Sequence, residues 1–220
     1  ELIKFKFKSM SLIVIKFGGT SVRDINRIKN VANIVQKEAK KNKVIVVLSA
    51  MAGYTNQMQK YIDDIKSDNS IENDLILTSG ENITVGILSS VLKKRNIKAI
   101  PLLGWQIPII TDSNHQKAKI LNIDKIRIDR YLKDYDVIVL AGFQGVNDSG
   151  DLTTFGRGGS DLSAIAIAGA LKAKSCQIFT DVAGVFTADP RIVPNACKIP
   201  AISYEELLEL ASSGSKVMQT

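Results

Sequence analysis

The stretch "VIKFGGTSVRD", Val14 to Asp24, joins a predicted buried strand to a predicted helix. The apolar run from Leu12 to Ile15 is typical of a buried strand, and apolar residues recur at helical spacing from Val22 to Lys41. Gly18 and Gly19 therefore lie at a strand-to-helix turn. At such a turn, unpaired backbone N–H groups and the positive end of the helix dipole attract an anion, and glycine lets the backbone approach it closely.

The residues of this turn leave two interpretations open. It is a phosphate-binding loop that lacks Walker-type spacing, or it is an ordinary Gly-Gly turn. Lys16 shares the ambiguity, because lysines at strand ends are commonly solvated.

Composition indicates a soluble globular protein with one large domain or two small ones. The chain has 220 residues, of which 45% are hydrophobic and 23% are charged. Its uninterrupted apolar runs fall short of the roughly 18 residues that cross a bilayer, so no membrane partner is predicted. Two cysteines without a CxxC pair and one histidine exclude a Cys/His metal cage and disfavour a disulfide. We therefore expect a cytoplasmic location.

The net charge of +7 does not predict nucleic-acid binding, because the basic residues are scattered. The densest cluster, "KEAKKNK" from Lys37 to Lys43, ends a predicted helix, where cations are favoured by the dipole. The aromatic residues do not alternate with these lysines, so no stacking platform for single strands is visible. Small anionic substrates are the expected partners of this charge.

Apolar strands alternate with helices along the chain, which indicates an α/β fold with a mostly parallel sheet. Helical patterns span about residues 72–94 and 162–173, whereas the polar segments 51–57 and 144–161 are predicted to be irregular. The further strands are predicted at "KVIVVLSA" (43–50), "AIPLL" (99–103), "DVIVLAGF" (136–143) and "SCQIFTDV" (175–182).

Four segments follow predicted strand ends, and they begin near Lys16, Ser49, Gly142 and Thr180. Ligands of parallel sheets bind at the carboxyl ends of the strands. We therefore expect these four segments to form one site.

The segment "TFGRGGSDLSA", Thr154 to Ala164, places Arg157 among three glycines. A planar guanidinium pairs with a carboxylate through two donors, which favours substrate binding by Arg157. Ser160 and Asp161 open the following helix, and one of them could simply be its N-cap. The next segment, "TDVAGVFTADPR" from Thr180 to Arg191, taken alone favours a hairpin with an Asp-Pro turn over a nucleotide loop.

Six motifs in order carry a family resemblance: "KFGGTS", "LSAMAGYTN", "TSGENITVGILSS", "GFQGVNDSGDLTTFGRGGSD", "FTDVAGVFTADPR" and "SGSKVM". With them, the chain from about Leu12 to Met218 resembles the catalytic domain of aspartokinases, within the amino-acid kinase superfamily. The resemblance implies a three-layer αβα sandwich with a mostly parallel central sheet. It also implies a homo-oligomer in the full-length form.

The resemblance implies ATP-dependent phosphorylation of the β-carboxylate of L-aspartate to 4-phospho-L-aspartate. This is the first step toward lysine, threonine, methionine and diaminopimelate. The cofactors would be ATP and Mg²⁺, with the metal held mainly through the nucleotide phosphates and without a protein metal site. A carboxylate is already a nucleophile near neutral pH, so the transfer needs positioning and charge neutralisation rather than a Ser-His unit.

Site residues are implied by the same resemblance. Lys16, Asp161 and Lys216 would be catalytic, with Gly18 and Gly19 cradling the transferred phosphoryl group. The ATP site would also include Thr180, Asp181, Phe186, Asp189 and Arg191. Aspartate would be bound by Arg157 at its α-carboxylate and Glu81 at its ammonium, with Ser49, Thr55 and Asp161 completing the pocket.

Each role has a simpler alternative: a solvated helix end for Lys216, a helix N-terminal charge for Glu81 and a turn hydroxyl for Thr55. Phe186 and Gln219 stand where many relatives have tyrosine and histidine. Rival functions are phosphorylation of glutamate, N-acetylglutamate, carbamate or a nucleoside monophosphate, or nucleotide binding without turnover.

The expected domains are an N-terminal extension at residues 1–11 and a catalytic domain at residues 12–220. Aspartokinases usually continue beyond such a domain into ACT regulatory domains. The catalytic domain is therefore expected to be truncated at its C-terminal end.

Overall fold

The computed structural model describes residues 10–68, 70–156, 158–179, 187–188, 192–199 and 206. Within these residues the chain forms nine strands and five helices. The strands are β1 (Ser11–Phe17), β2 (Asn42–Leu48), β3 (Ala99–Leu102), β4 (Ile109–Thr111), β5 (Ile120–Ile123), β6 (Val137–Ala141), β7 (Gln144–Val146), β8 (Leu152–Thr154) and β9 (Ser175–Phe179). The helices are α1 (Ile25–Ala39), α2 (Tyr54–Ile65), α3 (Ile71–Lys94), α4 (Lys125–Asp134) and α5 (Gly159–Ala170).

A five-stranded sheet of order β3-β6-β2-β1-β9 forms the centre, and all its pairings are parallel. Its three inner strands, β6, β2 and β1, are largely buried on both faces, which explains their nearly continuous apolar sequences. A second sheet of order β5-β4-β7-β8 is mixed. The predicted α/β fold with a mostly parallel sheet is confirmed.

Helices cover both faces of the central sheet, so the fold is the predicted three-layer αβα sandwich. Alternate residues of β1 point to opposite faces. Ile13, Ile15 and Phe17 pack in one core with residues of α1 and α3, whereas Val14 packs in a second core with residues of α4 and α5.

Two polar segments contain regular structure, and the prediction of irregular loops there is wrong. Helix α2 begins at Tyr54 within the segment 51–57, although Ile62 is its only fully buried residue. Strands β7 and β8 form a hairpin within the segment 144–161. The Asp151 N–H donates a hydrogen bond to the Asn147 side-chain oxygen at 2.8 Å, and this bond closes the hairpin. The sequence does not indicate these elements because most of their residues are polar or glycine.

By length and composition alone, α3 could cross a membrane. Threonine, serine and glycine interrupt its apolar residues, so the sequence does not display one continuous run. One side of α3 is buried against the protein core, and this side includes the carboxyls of Asp74 and Glu81. We therefore assign α3 as a core helix.

Two glycines of α3 provide a test of this packing. A Cβ on Gly80 would lie 2.6 Å from the Ala50 Cβ, whereas a Cβ on Gly86 would meet nothing within 4 Å. Gly86→Ala should therefore raise the free energy of unfolding by up to about 1 kcal/mol through helix propensity. Gly80→Ala should lower it by about 1 to 3 kcal/mol through overpacking. Urea denaturation of both variants measures the difference, and equal gains would contradict the close approach of α3 to Ala50.

Candidate active site

The carboxyl ends of three adjacent strands are linked by backbone hydrogen bonds. The Ser49 N–H, just past β2, donates to the Phe17 carbonyl of β1 at 3.2 Å. The Gly142 N–H, just past β6, donates to the Leu48 carbonyl at 2.9 Å. The segments predicted to form one site at this edge therefore begin side by side, as far as the chain is described.

The glycine pair forms the turn between β1 and α1. The Gly18 N–H donates to the Phe179 carbonyl at 3.2 Å, so this amide is already engaged. Gly19 begins a 3-10 turn that ends at Val22, and the first N–H groups of a helical turn lack an acceptor within that turn. An anion at this turn would therefore meet the Gly19 end of it rather than the Gly18 amide.

The two glycines differ in how closely their surroundings approach them. Gly18 has an extended backbone (φ −73°, ψ 168°) that any residue can adopt. A Cβ on Gly18 would lie 3.4 Å from the Lys16 Nζ, an ordinary contact distance, so a small side chain would fit there beside the ammonium. A Cβ on Gly19 would lie 3.0 Å from the Ala50 carbonyl oxygen, so Gly19 allows close packing of the two loops.

Lys16 and Asp161 form a buried ion pair, with 2.5 Å between Nζ and Oδ1. Lys16 lies on the same face of β1 as Val14, and α5 covers this face. Asp161 lies in the first turn of α5. The two residues are only 5% and 6% exposed. Burial raises the pKa of Asp161 above its ordinary value, and the Lys16 ammonium opposes that shift.

The N-cap interpretation of Ser160 and Asp161 is wrong. The N-cap of α5 is Gly158, which has a left-handed backbone (φ 76°) and makes no side-chain cap. Ser160 packs instead against the end of β6, since a Cβ on Gly142 would lie 2.8 Å from the Ser160 Cβ. The Asp161 carboxyl is therefore available to Lys16.

Glu81 lies inside α3 and is 3% exposed, so the interpretation as a helix N-terminal charge is wrong. Its Oε1 accepts the Ala50 N–H at 3.0 Å, and its Oε2 is buried without a partner in the described part of the chain. Burial raises the pKa of Glu81 to about 7, against the opposing effect of the Ala50 N–H. A buried carboxyl with an unused oxygen is suited to a cationic ligand.

The loop after β2 joins the glycine turn to Glu81. Ala52 donates its N–H to the Gly19 carbonyl at 3.2 Å, while the Ser49 carbonyl accepts the Thr84 hydroxyl at 2.9 Å. Ser49 and Thr55 are both half-buried, and Thr55 lies in the first turn of α2 rather than in a turn outside regular structure. Five predicted residues, Lys16, Gly19, Ser49, Glu81 and Asp161, are thus brought to connected positions.

Phe143 is a candidate site residue that the sequence analysis does not identify. It has a positive φ of 70°, a conformation that a bulky residue adopts only when its surroundings hold it there. Its N–H donates to the Ser163 hydroxyl at 3.0 Å, and its carbonyl accepts the Phe155 N–H at 3.2 Å. The strained residue directly follows Gly142, but the motif "GFQG" gives no signal of its backbone conformation.

Several predicted site residues lie outside the described residues: Arg157, Thr180, Asp181, Phe186, Asp189, Arg191 and Lys216. Their roles stay predictions. In the described ranges, no three histidine, cysteine or acidic side chains converge as a metal-binding group.

Replacing Glu81 with glutamine should remove a pH-dependent loss of stability. The pKa of Glu81 is raised from 4.5 to about 7, so between these values the unfolded chain releases a proton that the folded protein keeps. The free energy of unfolding of the wild type therefore falls as pH rises through this window, whereas glutamine does not titrate. Urea denaturation should show Glu81→Gln gaining about 3 kcal/mol relative to wild type from about pH 4.5 to about pH 7.5.

Glu72→Gln is the matched control for this measurement. Glu72 is exposed in the first turn of the same helix, and a hydrogen bond from its own backbone N–H lowers its pKa. The control should show no gain over the window. Parallel pH profiles for wild type and Glu81→Gln would contradict a pKa of Glu81 raised to about 7 by burial.

The family comparison covers nearly the whole described fold. Residues 11–220 match the model of the amino acid kinase family. An aspartokinase from Rickettsia felis is 53% identical over 214 aligned positions, and the alignment covers 95% of this chain and 53% of that protein. The chain thus spans about half the length of the curated relatives it matches.

Solved structures agree with the fold. Aspartokinase III from E. coli, in complex with aspartate and ADP, superposes with a TM-score of 0.76 at 27% identity, covering 94% of this chain and 57% of the other. Aspartate kinase from Synechocystis gives a TM-score of 0.73 at 40% identity, covering 94% and 35%. With the strand-end site and the matched residues, these findings establish that the chain belongs to the amino acid kinase family.

Proposed function

We propose that the protein is an aspartate kinase, which transfers the γ-phosphoryl group of ATP to the β-carboxylate of L-aspartate and forms 4-phospho-L-aspartate. The main observation behind the proposal is that Ala50 connects two buried charged groups, the Glu81 carboxyl and the Lys16 ammonium. Glu81 bonds to the Ala50 N–H on one side, and the glycine turn beside Lys16 packs on the Ala50 carbonyl on the other. The similarity to aspartokinases over 95% of the chain supports the same substrate.

The charges fit aspartate and ATP. The Glu81 Oε2, which has no partner among the described residues, would accept a hydrogen bond from the aspartate ammonium. Binding of that cation would favour the ionised form of Glu81 and offset the burial that raises its pKa to about 7. N-acetylated acids lack the ammonium, so this feature favours a free amino acid over N-acetylglutamate.

Lys16 would neutralise charge on the phosphoryl group during transfer. The β-carboxylate of aspartate is an anionic nucleophile, so the site must bring it against a polyanion rather than remove a proton from it. Asp161 holds the Lys16 ammonium at 2.5 Å before substrates bind. A cation fixed in advance costs little reorganisation when charge develops in the transition state.

Mg²⁺ would be held mainly through the nucleotide phosphates. The acidic residue beside Lys16 in the described site is Asp161, and no cluster of acidic, histidine or cysteine ligands accompanies it among those residues. One nearby carboxylate is enough for an ion that arrives with the nucleotide, because Mg²⁺ in such sites is commonly bound by one or two carboxylates together with the substrate phosphates. When bound, the ion neutralises phosphate charge.

The remaining roles are proposed from the motifs and the family. Arg157 would bind the α-carboxylate of aspartate, and Ser49 and Thr55 would complete that pocket. Lys216 would contact the nucleotide phosphates. The rest of the ATP site would be Thr180, Asp181, Phe186, Asp189 and Arg191.

We place the reaction in the cytoplasm, at the start of the aspartate-family pathway to lysine, threonine, methionine and diaminopimelate. Residues 12–220 would form the catalytic domain of a longer homo-oligomeric enzyme. The partners would be aspartate and ATP rather than nucleic acid or membrane.

Hydroxylamine trapping of the acyl phosphate tests this function. The purified protein is incubated with ATP, Mg²⁺ and one acid at a time: L-aspartate, L-glutamate, N-acetyl-L-aspartate or N-acetyl-L-glutamate. We expect hydroxamate from aspartate, and from the other acids at least about tenfold less, because each lacks the ammonium or the correct chain length. Hydroxamate formed mainly from another acid, or nucleotide binding without any product, would contradict the proposal.

A further inference from the structure

Asp74 is a buried carboxyl that the proposed reaction does not use. It lies in α3 and is 0% exposed. Its carboxylate accepts the Thr154 hydroxyl at 2.6 Å and the Gln116 N–H at 3.1 Å, and its Oδ2 lies 2.6 Å from the His115 Nδ1. We refer to Asp74, His115, Gln116 and Thr154 as the Asp74 cluster.

The Asp74 cluster ties together three parts of the chain. Asp74 belongs to α3, His115 and Gln116 to the connection between β4 and β5, and Thr154 to the end of β8. Burial of a carboxyl costs free energy unless hydrogen bonds compensate for it. Loss of one donor therefore destabilises the arrangement of the other members of the cluster. The three parts are therefore held in one arrangement.

Two of these parts lead directly to site residues. Glu81 follows Asp74 by seven residues of α3, a rise of about 10.5 Å along the same helix. Asp161 follows Thr154 by seven residues, after the glycine-rich segment. Asp74 thus joins the helix that carries Glu81 to the strand that leads into Arg157 and Asp161.

The end of β8 is also fixed through its backbone. The Ala118 N–H donates to the Thr154 carbonyl at 2.9 Å. Beyond it, Gly156 has a positive φ of 77°, and a Cβ there would lie 3.1 Å from the Gln116 carbonyl oxygen. The Asp74 cluster therefore sets both the position of Thr154 and the path on which the chain leaves it.

We propose that the Asp74 cluster is a positioning unit for the aspartate site. It fixes the separation between Glu81 and the first turn of α5, where Asp161 lies, without touching either substrate. This inference rests on the proposed aspartate kinase function. A merely structural cluster would affect stability alone, whereas a positioning unit affects the apparent KM for aspartate more than that for ATP.

The chain offers a matched pair of buried hydroxyls for the test. Thr154 and Thr153 are adjacent in β8 and both are fully buried. The Thr153 hydroxyl bonds to the Thr111 hydroxyl at 2.7 Å, away from Asp74. Valine preserves the β-branched shape and replaces the hydroxyl with a methyl group, whereas serine at position 154 keeps the hydroxyl.

Steady-state kinetics of Thr154→Val, Thr154→Ser and Thr153→Val are compared with wild type, with thermal unfolding of each variant. We expect Thr154→Val to raise the KM for aspartate about tenfold, through misplacement of binding groups, and the KM for ATP by less than about twofold. Thr154→Ser should restore the aspartate KM. Thr153→Val should lower the melting temperature without changing either KM.

Equal KM values for Thr154→Val and Thr153→Val in an active enzyme would overturn the positioning role and leave the aspartate kinase function standing. An equal rise in both KM values of Thr154→Val would also overturn it. A wild-type protein that does not turn over aspartate would overturn the proposed function, and this inference with it.

Discussion

The buried ion pair between Lys16 and Asp161 is the interaction on which the site depends. A buried charge is tolerated only with a partner, so the end of β1 and the first turn of α5 must stay in contact. Two features allow that contact. α5 starts with Gly158 as its N-cap, which leaves Asp161 uncommitted, and Gly142 lets α5 approach the end of β6. The parallel sheet then brings the loop after β2 beside the same pair.

The site keeps two carboxyls in buried surroundings that disfavour their charged forms. Burial raises the pKa of both Glu81 and Asp161, and Glu81 retains one oxygen without a described partner. Phe143 adds a strained backbone that is hydrogen-bonded to Ser163 of α5. Such features cost stability, and the buried hydrogen bonds of Asp74 together with two apolar cores on opposite faces of the sheet compensate for them.

The sequence predicts the parts of the fold that are buried on both sides. Strands such as β2 and β6 are continuous apolar runs, and α3 and α5 are long and rich in apolar residues, so their patterns are unambiguous. It misses α2, α4, β7 and β8, in which polar residues are numerous, and β4 and β5, which have only three and four residues. Motifs identify Lys16, Glu81 and Asp161 individually, but the pairing of Lys16 with Asp161, the conformation of Phe143 and the contacts of Asp74 depend on tertiary packing.

The turnover of Lys16→Met, compared with Lys43→Met, tests the catalytic role of the ion pair most directly. Lys43 lies near the amino end of β2 in the same sheet and pairs with the partly exposed Asp136 at 3.0 Å, so it is a matched pair outside the site. If Lys16 neutralises charge in the transition state, Lys16→Met lowers kcat for aspartate phosphorylation by about a hundredfold or more, and Lys43→Met leaves it within about twofold. A folded Lys16→Met enzyme with nearly wild-type kcat would contradict the account.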